Sequence, residues 1–219
     1  MKLKKIASLM LAGVMAVSML TACDSGNNGG NGNNGNNGGE PTPSASYTST
    51  VLAETNKSTQ AKLSASSNTK LDKAVGVVAE NFTISKAPLN TVNVMGKDWK
   101  QVTAVEDIMY GAEYSPNALN ATGGWDFSPE KVGKSKTYYT LAYASRAMTD
   151  DYITELVADF LDLQAEKMVD DEKVVEGYTW DYTVSVSKAD CVQGNKADRS
   201  KDCVIVGIAI TATKTEVKY

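Results

Sequence analysis

Tyr178-Thr-Trp-Asp-Tyr-Thr-Val-Ser-Val-Ser187 alternates apolar and polar residues without a break, and Val204-Ile-Val-Gly-Ile-Ala-Ile-Thr-Ala-Thr213 alternates again on the return. In the first stretch Tyr178, Trp180, Tyr182, Val184 and Val186 share one side, against Thr179, Asp181, Thr183, Ser185 and Ser187. In the second, Val204, Val206, Ile208, Ile210 and Ala212 stand against Ile205, Gly207, Ala209, Thr211 and Thr213. A period of two is that of a strand, and two such runs with a connection between them make an antiparallel hairpin with one buried face.

The cover for that face lies just upstream. Thr149 is suited to cap a helix, with Asp150 and Asp151 in its first turn where acids favour the helix dipole. Ile153, Leu156, Val157, Phe160, Leu161 and Met168 mark its buried side, and the acids at 170–172 stop it by about Val169. Thr137 to Arg146 reads as a further strand, with Tyr139, Leu141 and Tyr143 on one side and Tyr138, Thr140, Ala142 and Ala144 on the other. The fold class that follows is α+β: an antiparallel sheet with a long C-terminal hairpin, helices packed on one face.

Further upstream, Leu71, Val75, Val78 and Phe82 recur at helical spacing behind Thr69, a plausible N-cap; a strand through Val77 to Ile84 is the competing reading. Thr91 to Met95 alternates weakly. Trp99, Val102, Val105 and Met109 suggest a short helix opening near Asp98. Tyr110 to Lys136 is loop-like, punctuated by Ser-Pro and Gly-Gly. Ser44 to Asn68 is rich in Ser, Thr and Ala, and reads either as more linker or as a first edge strand at Tyr47 to Leu52. The single α+β domain is therefore expected over 47–219, with its ordered core from about Thr69.

The N-terminus carries an address. Met1 to Lys5 holds three lysines, and Ile6 to Leu20 runs without a charge. A basic start, an apolar run of about fifteen residues and small residues after it describe a secretory signal, too short for the roughly twenty residues that span a bilayer. Leu20-Thr21-Ala22-Cys23 resembles the lipobox of bacterial lipoproteins, a resemblance confined to residues 1–23. It implies a signal peptide over 1–22 and a diacylglyceryl group on the Cys23 thiol, with Cys23 as the first residue of the mature chain. It also implies attachment to membrane lipid through Cys23 at the extracytoplasmic face of the cell membrane. Two acyl chains are enough for stable attachment. Residues 23–46 read as a flexible linker on their Gly/Asn composition, with a mean span of roughly 25–30 Å.

Removing the three signal lysines from the 22 basic residues leaves 19 against 26 acids, a net of −7 for the mature chain. That balance, with no clustered Lys or Arg, disfavours nucleic acid as a partner. The chain has no histidine, which excludes Ser-His-Asp and Cys-His catalysis and His-bearing zinc sites. Gly133-Lys134-Ser135 matches only the tail of a phosphate loop, because Ser128 stands where its first glycine belongs. The acid pairs Asp150-Asp151 and Asp170-Asp171-Glu172 lack the spacing of a calcium loop and suit helix ends. Lys62 near Ser64 to Ser67, and Lys134 beside Ser135, do not stand in an S-x-x-K arrangement. No catalytic residue, metal site or cofactor is assigned.

Two constellations remain. Cys191 and Cys203 sit at the inner ends of the hairpin strands, and an exported chain can keep disulfides, so a bridge is expected between them. Closing that loop would stabilise the fold by roughly 3 kcal/mol in the loop-entropy account. Trp125 and Phe127 in the long loop, with Tyr138 after it, are the candidate ligand-binding aromatics, able to stack on a sugar ring or anchor a protein if exposed; the competing and more common role of such rings is to plug the edge of a small core. Trp99 and Trp180 lie on periodic apolar faces and count as core. The reading is a non-enzymatic module that binds an envelope protein or glycan. A carboxylate-dependent envelope hydrolase and a small solute receptor are the alternatives.

Overall fold

The computed structural model describes residues 44–84, 88–116, 125, 127, 132–169, 177–191 and 201–217, all within one compact unit. Cys23, the signal segment and the linker lie outside the described residues. The elements in chain order are α1 (Ser44–Glu54), α2 (Lys57–Lys62), β1 (Leu63–Ala65), α3 (Thr69–Asn81), β2 (Asn93–Val94), α4 (Lys100–Thr103), β3 (Ala112–Tyr114), β4 (Ser135–Ser145), α5 (Asp150–Ala165), β5 (Tyr178–Cys191) and β6 (Cys203–Glu216). The sheet runs β1-β5-β6-β4-β2, with β3 also on β4.

The C-terminal hairpin is the frame. β5 and β6 pair antiparallel from Tyr178↔Glu216 to Cys191↔Cys203, and β4 pairs antiparallel on the other side of β6. Thr149 caps α5 by accepting the Tyr152 N–H, as its sequence position predicts. The α+β class and the hairpin stand. Two finer expectations give way. The sheet is mixed, because β1 joins β5 and β3 joins β4 in parallel. Helices also cover both faces, not one.

The second cover follows from β6. Val204, Val206, Ile208 and Ile210 face the layer of α5 and α1, with Ile153, Val157, Phe160, Leu161 and Val51. Ile205 and Ala209 face the opposite way, into a second layer with Leu71, Val75 and Val78 of α3 and with Val102, Val105 and Met109 around α4. A strand apolar on both sides must be buried on both sides. Gly207 lies between Ile205 and Ala209 and lets α3 come close: a Cβ there would stand 2.5 Å from Val75 Cγ2.

The N-terminal boundary also moves. Ser44 to Ala65 is built into the domain as two helices and an edge strand, so order begins well before Thr69. Tyr47 and Val51, four residues apart on α1, are buried in the α5-side layer. Hydroxyl side chains do the rest. Thr48 Oγ1 accepts the Val186 N–H at 2.8 Å, and the Ser44 hydroxyl donates to Asp72 at 3.1 Å, tying α1 to β5 and α3. Asn68 rather than Thr69 caps α3, accepting the Leu71 N–H at 3.0 Å. The helix expected from Asp98 shortens to Lys100–Thr103 followed by turns, yet Val102, Val105 and Met109 are buried on one side.

Candidate functional site

Trp125, Phe127 and Tyr138 come together, as side chains proposed to act jointly must. Trp125 stacks on Tyr138 at 6.0 Å between centroids, and Phe127 meets both rings edge-on at 5.9 and 5.5 Å. Phe160 of α5 and Tyr182 of β5 complete the cluster at 5.5 and 5.9 Å. All three named residues are buried, at 3%, 4% and 3% exposure. They therefore close the end of the α5-side core and present no open ring face for stacking. The backbone N–H of Trp125 donates to Gln164 Oε1 at 2.9 Å, which ties Trp125 to α5. The Trp125 indole N–H and the Gln164 amide nitrogen are buried without hydrogen-bond partners among the described residues.

Trp99 departs from the core position expected of it. It is 38% exposed and lies over Phe82 and Tyr143, with centroids 6.4 and 5.8 Å away. Its helical spacing with Val102 and Met109 suggested a core position, but it precedes the first helical residue and so leaves the buried side. Trp180 is core, with Lys214 above its ring and that of Tyr178, at 5.3 and 4.2 Å.

The charged side chains gather at the start of α5. Asp150 receives Arg146 Nη1 at 2.9 Å and Lys188 Nζ at 3.0 Å, while Arg146 Nε reaches Asp190 at 3.2 Å. Lys188 also lies 4.6 Å from the centre of the Tyr47 ring, and the Tyr47 hydroxyl pairs with Thr154 at 3.1 Å. Burial pushes the Asp150 carboxyl up, but the hydrogen bonds and charges of Lys188 and Arg146 outweigh it, and the net shift is down. Burial raises the Tyr47 phenol. Asp150 and Asp190 thus share one guanidinium. A general acid needs a raised carboxyl, and Asp150 has the reverse. The cluster joins the α5 N-terminus to β5.

A pH test follows from the sign. A carboxyl lowered in the folded state stabilises above its ordinary value of 3.8 and loses that contribution as pH falls through the folded value. Asp150 is half-exposed, so Asp150→Asn should cost less than about 1 kcal/mol at neutral pH. The gap between wild type and variant in urea unfolding should close well below 3.8. A gap that persists in strong acid would show that the effect is not ionic.

Cys191 and Cys203 occupy directly opposed positions of the hairpin and are both buried, but no S–S bond joins them; the structure holds them as thiols. Cys191 Sγ donates to the Phe82 carbonyl at 3.5 Å, and Cys203 Sγ to the Lys201 carbonyl at 3.1 Å. Burial, then Cys191, then Asp202 push the Cys203 thiol up to about 12, which makes it a poor nucleophile.

Comparison with protein-family models, curated proteins and solved structures finds no match for the chain.

Among the described residues, no group of three or more His, Cys, Asp or Glu could hold a metal ion, and no helix is long and apolar enough to cross a membrane. Among the described residues the domain is a single sheet clad on both faces. The exposed Trp99 and the ion cluster of Arg146, Asp150, Lys188 and Asp190 were not singled out from sequence. The first was hidden by its helical spacing, the second by chain separations of about forty residues.

Proposed function

We propose that the chain is a membrane-anchored extracytoplasmic lipoprotein whose domain is a non-enzymatic binding module for an envelope component. The observation that carries the anchor is the order of lysines, uncharged apolar run, Leu20-Thr21-Ala22-Cys23 and Gly/Asn tract. Support for binding over catalysis comes from the missing histidine, the ion-paired state of Asp150 and the raised Cys203 thiol. With Trp125, Phe127 and Tyr138 turned inward, a protein is favoured over a glycan as the component bound.

Cys23→Ser should release the protein from the membrane fraction into the medium, because the thiol that takes the diacylglyceryl group is gone. Continued retention in the membrane fraction overturns the anchor. Crosslinking in intact cells should then give adducts with the wild-type chain that disappear with the released variant, and identical adducts from both would count against a partner met at the membrane.

A further inference from the structure

The β5–β6 register places Cys191 directly across from Cys203, and both side chains belong to the layer beneath α3. Directly opposed residues of an antiparallel pair have Cα atoms about 4.5–5.5 Å apart, inside the roughly 4.4–6.8 Å range of disulfides. Side chains of such a pair emerge on the same face, so a change of rotamer suffices to bring the two sulfurs together. β6 is central, with β5 on one side and β4 on the other, and Cys203 is also opposed to Ser145 of β4. Phe82, whose carbonyl takes the Cys191 S–H, belongs to the same layer, and Tyr143 packs against that layer. Phe82 and Tyr143 are the two rings that carry Trp99.

We propose that Cys191 and Cys203 are a redox-sensitive pair that closes into a cross-strand disulfide and latches the loop-side ends of β5 and β6. The oxidant is a small-molecule disulfide. One cysteine thiolate attacks it and forms a mixed disulfide while the first small thiol leaves. The second cysteine then attacks the protein sulfur of that mixed disulfide and expels the second small thiol. The two protons lost by the cysteines end on the two released thiols, and the small disulfide is the species reduced. Closure takes the S–H donor away from the Phe82 carbonyl, which is the C-cap of α3, and so reaches the stack that holds Trp99.

The test uses the full chain, reduced and then incubated with glutathione disulfide until no further change occurs. Remaining thiols are alkylated and the protein is digested with trypsin without reductant. The expected product is peptide 189–196 joined to peptide 202–214, lost again on treatment with dithiothreitol. The oxidised wild type should unfold at higher urea concentration than the reduced protein, whereas Cys191→Ser and Cys203→Ser should show no such gain. The exchange is repeated in urea below the unfolding midpoint to give the buried thiols access. Glutathione adducts on either cysteine without the joined peptide overturn the pair, and so do two alkylatable thiols under both conditions. A joined peptide with no gain in urea resistance overturns the latch.

Discussion

Gly207→Ala should lower the unfolding free energy by about 1–3 kcal/mol, the usual cost of forcing one methyl into a filled core, and Gly207→Val should cost more. A Cβ at 207 would stand 2.5 Å from Val75 Cγ2 and 2.9 Å from Leu71 Cδ1. Neither neighbour can move aside cheaply. Both are fully buried, and Val75 is β-branched, with a single favoured χ1 in a helix. The strain must pass to the backbone of α3, which has to lift from the sheet and loosen Leu71, Ala74, Val75 and Val78 together. The loss should appear as a lower urea midpoint at unchanged slope. Val75→Ala supplies the control by removing the atom that collides. In that background Gly207→Ala should cost at least about 0.5 kcal/mol less than in the wild type, a coupling that only neighbours show. Strictly additive losses would mean that contact with Val75 is not the reason for the glycine.

Gly207 also marks what could be read in advance. The alternation through Tyr178–Ser187 and Val204–Thr213 was enough for the hairpin, and Thr149 with Asp150 and Asp151 was enough for α5, because these signals are local and long. The second helical cover was legible in principle. Ile205, Gly207 and Ala209 are as apolar as their neighbours, and a run apolar at every position belongs to a strand buried on both faces. Strands β1, β2 and β3 were not legible, because two or three residues are too few to display a period. Aromatic exposure was reversed for Trp99 because it depends on where the chain enters a short helix, which spacing does not encode.

Deleting residues 44–68 from the otherwise full chain should abolish cooperative unfolding, although by composition this stretch reads equally as more linker or as an edge strand. Its helix propensity is weak: Ser and Thr compete with the backbone for hydrogen bonds. Tertiary burial overrides that preference. Tyr47, Val51 and Leu63 are at most 5% exposed, and burying each contributes about 1.5–3 kcal/mol, or roughly 5–9 kcal/mol together. Whole domains hold only about 5–15 kcal/mol. The deletion also removes the Thr48 acceptor from the Val186 N–H and strips β1 from Tyr182, Thr183 and Val184 of β5. Each backbone donor left buried without a partner would cost a further 1–3 kcal/mol or so. The helices α3 and α5 pack on other parts of the sheet, so secondary structure should survive in part while the fixed environment of Tyr182 and Trp180 is lost. The measurable outcome is near-UV circular dichroism reduced toward baseline, with a broad thermal transition in place of a sharp one. A sharp transition at the wild-type midpoint would instead place α1, α2 and β1 outside the cooperative unit, as a docked extension of the linker.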